Sequence, residues 1–281
     1  MNENEPTKEL FIATHPNEVH IALLEDKKLV EIRREKTTEH CSVGDIYLAK
    51  VRKLIPGLNA AFVDIGLDKE GFLHYLDLGL HGNTINAFVQ QAKEKNKKSI
   101  VNFPYKPTLP KAGKIGVVLS QGQEILVQVA KEPMSSKGAR VTAEISFAGR
   151  FLVLIPFSDS VSISQKIKNP EEKKRLKKLV QSIKPKKFGV IIRTVAEGKK
   201  VEDITADMEQ VTERWKLLVS KLNKAKAPMQ ISADIDKTSA IIRDMLHESF
   251  TNIYVDSPKI YDDLKTYLKS ISFQNIQILH L

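Results

Sequence analysis

Two phenylalanines, Phe62 and Phe72, stand among cations: Lys50, Arg52, Lys53 and Lys69 lie close by in the chain. Rings on which any base can stack, beside charges that hold phosphates, are what a single-stranded nucleic acid asks of a protein surface. Read from spacing alone, the alternative is that both rings are core, where phenylalanine usually sits. A short basic loop, 135–140, offers Lys137 as a charge and Gly138 as a point where backbone can approach a phosphate; the alternative is an ordinary solvated loop. Arg193-Thr194 follows a strand-like run, 188–192. A guanidinium grips a terminal phosphate through two parallel donors, and a hydroxyl with nearby backbone N–H groups can take the remaining oxygens. Otherwise an arginine at a strand end is a surface ion pair. Asp234, Asp236 and Asp244 are the acids that could be gathered into a metal-binding cluster, but acids in turns and on helix surfaces are ordinarily only solvated. Neither CxxC nor HExxH occurs.

These residues need strands to hold them. The runs 46–55 and 58–65, rich in β-branched and aromatic residues and separated by Pro56-Gly57, predict a hairpin, with 71–74 as a third strand. Alternation sends Ala61, Val63 and Ile65 to one face and Phe62 and Asp64 to the other, so Phe62 leaves the inner face. The runs 115–119 and 124–130 would complete a barrel of about five strands. Ahead of those two runs, 83–114 is polar and contains KEKNKK and PYKPTLP. It predicts a long, solvated loop with a short helix near 87–95, or else an RNA-contacting arm.

Farther on, 151–155 is apolar enough for a buried strand, with Gly149 just before it. Asn169-Pro170 starts a helix whose Leu176, Leu179, Val180 and Ile183 face inward while Lys173, Lys174, Lys177 and Lys178 face out. A second helix over 201–222 carries Ile204, Met208, Val211, Trp215 and Leu218 at core spacing, so Trp215 is packing. At the N-terminus, strand-like runs at 10–13, 19–24 and 28–33 are too few to bury a core. Their partner is expected after Pro228, where 229–232, 252–255 and 276–279 alternate with helices over 238–247 and 258–268.

Composition bounds the partners. The chain has 281 residues, enough for about two domains, and a formal charge of +10 from 44 Lys plus Arg against 34 Asp plus Glu. An anionic partner is favoured. The single cysteine, Cys41, excludes an intramolecular disulfide and suits a reducing compartment. Neither a signal peptide nor an apolar run long enough to span a bilayer is visible, so a cytoplasmic protein without a membrane partner is expected.

The run YLAKVRKLIPGLNAAFVDIGLDKEGFLH, followed in order by KGARVT, AGRFLVL and IIRTVAEG, resembles the ribonuclease E/G family, bacterial endoribonucleases that cut single-stranded RNA. The resemblance implies an α+β multidomain fold. An RNase H-like α/β subdomain is split between 1–39 and 227–281 and plays a structural part. An S1-type OB-fold barrel covers 40–142, with a basic insertion near 83–114, and an α/β 5′-sensor subdomain covers 143–226. By the same resemblance Phe62, Phe72 and Lys137 touch RNA, Arg193 and Thr194 hold a 5′ monophosphate, and Gly149 and Val153 line the pocket for the first nucleotide. One departure is Gln165, where enterobacterial members carry an arginine; glutamine lacks the charge, so sensing is weaker here or Lys166 compensates.

In that family a DNase I-like subdomain carries two aspartates that bind Mg2+, and a CPxC zinc link joins protomers into a homo-oligomer. Both are expected beyond Leu281, so this segment is expected to bind RNA, preferably with a 5′ monophosphate, without cutting it. The implied roles are rRNA maturation and mRNA turnover. The alternative is a free-standing, non-catalytic single-stranded RNA-binding protein.

Overall fold

The computed structural model describes residues 7–16, 18–36, 41–95, 102–134, 136–233, 245, 249–270 and 276–281. It is a mixed α+β protein of two compact units, one made of 1–40 with 235–281 and the other of 41–234. The first unit begins with an antiparallel meander, β1 (Lys8–His15), β2 (Glu18–Glu25) and β3 (Lys28–Lys36).

The second unit opens with the expected hairpin, β4 (Ile46–Ile55) and β5 (Ala60–Asp64). Its turn is a 3-10 turn over Pro56–Leu58, and Asn59, at φ 49°, takes the left-handed conformation there. β6 (Gly71–His74), β7 (Glu124–Lys131) and β8 (Arg140–Thr142) close a five-stranded barrel, consistent with an OB-fold, in the order β4-β5-β6-β8-β7 with β7 pairing back to β4. Tyr47, Val51, Ala61, Val63, Leu73, Val127 and Val141 fill its interior.

Two expectations are corrected here. The run 115–119 is not a barrel strand. Ile115 and Leu119 are buried while Val117 is 84% exposed, a spacing that one helical turn satisfies and a strand does not; Ile115–Val118 accordingly forms α2. The closing strand is the short β8, held by the Phe72 N–H donating to the Ala139 carbonyl at 2.8 Å. The stretch 83–114 is a solvated loop only in part: 104–108, 110–112 and 114 are exposed, and the helix expected near 87–95 is present but longer and packed into the core. The stretch begins with this 14-residue helix, α1 (Gly82–Lys95), whose Ile85, Phe88, Val89 and Ala92 enter the core. The proline-rich strap behind it is pinned: Phe103 is 4% exposed, the Tyr75 hydroxyl donates to the Pro110 carbonyl at 2.6 Å, and the Lys106 N–H donates to Thr84 Oγ1 at 3.0 Å. Apart from Phe103 and the half-buried Leu109 and Gly113 the strap is exposed, and its prolines bring fewer N–H groups to satisfy.

Next, β9 (Phe147–Ala148), β10 (Leu152–Pro156), β11 (Val161–Ile163) and β12 (Phe188–Ile192) form a four-stranded sheet in the order β11-β12-β10-β9. Helices α3 (Pro170–Ile183) and α4 (Val201–Leu222) cover its Leu152, Leu154 and Val190 face. Asn169 caps α3 by accepting from the N–H groups of Glu171 and Glu172. The predicted stripe on α4 is buried, and the Trp215 ring packs against Phe88, Phe147, Phe157 and Phe188. β13 (Met229–Ser232) then returns to pair with the first residues of β4, Ile46–Leu48.

The first unit resumes with β14 (Phe250–Val255), α5 (Pro258–Ser270) and β15 (Gln277–His280). β14 pairs in parallel with β1, giving the order β15-β14-β1-β2-β3. Leu10, Ile12, Val19, Ile21, Phe250, Ile253, Val255 and Leu264 make its separate core. Asp256 ties the two segments, accepting from the Thr14 N–H at 2.7 Å and the Thr14 hydroxyl at 2.9 Å. The helix expected over 238–247, except Met245, and Asp234, Asp236 and Asp244 lie outside the described residues.

Candidate nucleic-acid interface

Alternation decides which barrel side chains reach solvent. Ala61, Val63 and Ile65 are sealed inside, and Phe62 stands on the outer face, partly exposed. Phe72 lies directly opposite on β6, and the two rings meet edge to face with centroids 5.8 Å apart. Register extends this pair into a row. Lys53 pairs with Phe62, Phe62 with Phe72, Phe72 with Arg140, and Arg140 with Lys131. Strands lie about 4.8 Å apart, so two rings sit in the middle of a line of cations crossing the barrel. Lys53, Lys131 and Arg140 are exposed. Asp77 aims Arg140, receiving its Nε and Nη2 at 3.0 Å each. Of the other cations near the rings, Arg52 is paired with Asp64.

Lys137 is exposed in a tight turn, its backbone exchanging hydrogen bonds with Met134 at 2.7 and 3.0 Å. Gly138 does permit a close approach, but protein backbone occupies it. An added Cβ would lie 1.9 Å from the Glu70 carbonyl oxygen. That contact seats the turn against the corner carrying Lys69 and Glu70, directly before Gly71-Phe72. Ser135 lies outside the described residues.

The second candidate site lies at one end of the four-stranded sheet. As β12 ends, the Arg193 N–H donates to the Phe151 carbonyl at 2.8 Å, and Arg193 Nη1 donates to the Gly149 carbonyl at 2.8 Å. The Thr194 and Ser164 hydroxyls are hydrogen-bonded at 2.7 Å. Val153 pairs with both Ala148 and Ile191; the Ile191 side chain beside it is 39% exposed. Arg193, Thr194, Gly149 and Val153 are thus gathered around one sheet end and the turn that leads into β10. Gln165 and Lys166 are exposed just past Ser164.

The sequence reading missed Arg140 with Asp77, Ser164, and above all Asp207. Asp207 is 6% exposed, and its carboxylate accepts from the backbone N–H groups of Arg150, Phe151 and Leu152 at 2.8, 2.8 and 2.9 Å. The signal was available. Position 207 falls between Ile204, Met208 and Val211 on the buried stripe of α4, and a carboxylate there must find donors. Gly149 is glycine for the same reason: an added Cβ would lie 2.5 Å from Asp207 Oδ1.

Among the described residues no three His, Cys, Asp or Glu side chains come together as a metal site requires. Nor is any described helix long and apolar enough to cross a membrane.

Residues 146–281 match the Ribonuclease E/G family. Over 92% of its length the chain is 33% identical to Ribonuclease G of Haemophilus influenzae, covering 49% of that protein. It is 33% identical to Ribonuclease G of Escherichia coli K12 over 92% of this chain and 49% of that one. It is 35% identical to Ribonuclease E of Nostoc sp. over 84% of this chain and 31% of that one. The chain spans about half the length, or less, of these curated relatives.

Proposed function

The chain is a ribonuclease E/G-like protein, and from that premise we propose that it supplies the RNA-recognition part of a single-strand-specific endoribonuclease of RNA processing and decay. The observation that carries the reading is the row Lys53, Phe62, Phe72, Arg140 across the barrel. Bases of an unpaired strand stack on the two rings while the flanking cations and Lys137 meet its phosphates. Duplex RNA hides its base faces, so the row selects unpaired strands.

In the same reading the sheet end is a 5′ sensor. The Arg193 guanidinium meets a terminal monophosphate, and Thr194 and Ser164 offer hydroxyls to its oxygens. Gly149 and Val153 wall the first nucleotide. The backbone donors of Arg150, Phe151 and Leu152 serve Asp207, so the phosphate is left to the arginine and the hydroxyls. The reading places the family's magnesium and zinc sites outside this segment. Family chemistry implies that Mg2+ activates water for attack on the phosphodiester, and this segment is proposed to bind RNA without cutting it.

Fluorescence anisotropy with 3′-labelled single-stranded RNAs ending in a 5′ monophosphate or a 5′ hydroxyl tests the sensor. The wild type is expected to prefer the monophosphate, and Arg193→Ala to equalise the two while leaving the hydroxyl affinity unchanged. Equal binding of both RNAs by the wild type would refute the sensor assignment. Loss of magnesium-dependent cleavage is not expected on Arg193→Ala, because no cleavage above a buffer blank is expected from the wild-type segment itself.

A further inference from the structure

Resting on the sensor reading, we infer that Asp207 is a positioning residue for 5′-phosphate recognition: from α4 it fixes the 149–152 turn, and that turn fixes the Arg193 guanidinium. The links run residue by residue. Three consecutive N–H groups converge on one buried carboxylate, an arrangement that leaves the turn little freedom. The turn begins at Gly149, whose carbonyl receives Arg193 Nη1 at 2.8 Å and whose missing side chain makes room for the carboxylate. The turn also receives the Arg193 N–H on the Phe151 carbonyl at 2.8 Å. One arginine is therefore held at both backbone and side chain by the segment that Asp207 organises. A guanidinium selects a phosphate by direction as well as charge, so loosening its anchor should cost selectivity.

The same geometry determines what Asp207 excludes. Convergent backbone N–H groups make an anion site, and an internal anion already occupies this one. An RNA phosphate entering the pocket therefore meets the side chains of Arg193 and Thr194, and a phosphate that took the 150–152 amides would have to displace a buried carboxylate.

Asp207→Asn keeps shape and removes charge; its amide nitrogen cannot accept the N–H that one carboxylate oxygen now receives. Measured with the two RNAs above on the full chain, the variant should lose the monophosphate preference by roughly tenfold, the scale on which supporting residues act. Its affinity for 5′-hydroxyl RNA, an internal control for folding and barrel binding, should stay within about twofold. A wild type that shows the preference and an Asp207→Asn that keeps it in full would overturn the inference and leave the sensor reading standing. A wild type with no preference would end both.

A variant too unstable to measure leaves a decisive experiment on the wild type, backbone NMR with a 5′-monophosphorylated dinucleotide. The Arg150, Phe151 and Leu152 amides should exchange slowly and shift little on addition, while the Thr194 amide shifts. Large shifts confined to the 150–152 amides would mean that the phosphate takes the carboxylate's place, and the inference would be wrong.

Discussion

Phe62 and Phe72 owe their exposure to a parity rule. Residues at even steps from Val63 fill the barrel, so Phe62 must face out, and cross-strand register puts Phe72 beside it. If each ring holds a base, Phe62→Ala and Phe72→Ala should each weaken single-stranded RNA binding by about 1–3 kcal/mol, read as a rise in Kd with unchanged melting behaviour. Lys53 and Arg140 predict a different signature. Each phosphate contact contributes about one counterion to the salt dependence, so Lys53→Ala or Arg140→Ala should flatten the log–log slope of affinity against salt by about 1, whereas the phenylalanine variants should leave it unchanged. The two rings were legible because strand alternation is a local code. The partners of Asp207 were not, because they lie more than fifty residues away in sequence and only the tertiary packing of α4 under β10 brings them together. A carboxylate on an apolar stripe showed that donors had to exist without showing which.

Elements fail to be legible where a local code is short or overridden. Helix α4 was read correctly because its stripe repeats through 22 residues. Strand β8 has three residues and no periodicity to detect; barrel closure, a nonlocal demand, defines it. Helix α1 was expected only near 87–95 and as part of a solvated stretch; its polar composition hid its earlier start and its buried face, although Ile85, Phe88, Val89 and Ala92 follow helical spacing. The strap behind it is held chiefly by Phe103, packed against Phe88 and Phe157 at centroid distances of 5.4 and 5.9 Å. Phe103→Ala should therefore cost about 3–5 kcal/mol of stability in urea unfolding, with little change in RNA affinity while folded.

A second clamp holds the turn after Thr194. Glu172 accepts both arms of Arg175 at 2.7 Å and the Gly198 N–H at 2.9 Å, and Arg175 also donates to the Lys199 carbonyl at 3.0 Å. Arg175 and the Gly198 N–H hold the Glu172 carboxyl down to about 2. A depressed carboxyl contributes stability that is complete above its ordinary range and fades as pH falls through that range toward the folded value. Protection of the Gly198 amide from hydrogen exchange should thus persist from neutral pH to about pH 5 and decline below about pH 4. Glu172→Gln should remove that acid dependence, at a stability cost of about 1 kcal/mol or less for a pair this open to solvent.

At the scale of the whole molecule, the 41–234 unit is interposed between the two segments of the other, and pairing of β13 with β4 makes this layout feasible. Met229 lies opposite Leu48 and Ser232 opposite Ile46, so the chain enters and leaves the unit on adjacent strands, roughly 5 Å apart. Each unit also has its own core: Leu10, Ile21, Ile253 and Leu264 in one, and two clusters drawn wholly from 41–234 in the other. Separate cores predict separable folding. Residues 41–234 expressed alone should unfold in a single cooperative transition, because β4 and β7 join its two clusters, sending Leu48 and Leu126 into one and Ala49 and Val127 into the other; Trp215, the one tryptophan and only 4% exposed, reports it directly by fluorescence. In the full chain the tryptophan signal should follow the same transition while far-UV circular dichroism reports both units, so the two curves need not coincide. Because the barrel row and the Arg193 cradle both belong to 41–234, that segment should bind single-stranded RNA within about twofold of the full chain and keep the same 5′ preference. A tenfold loss with intact folding would mean that the sheet built from the two chain ends takes part in holding RNA.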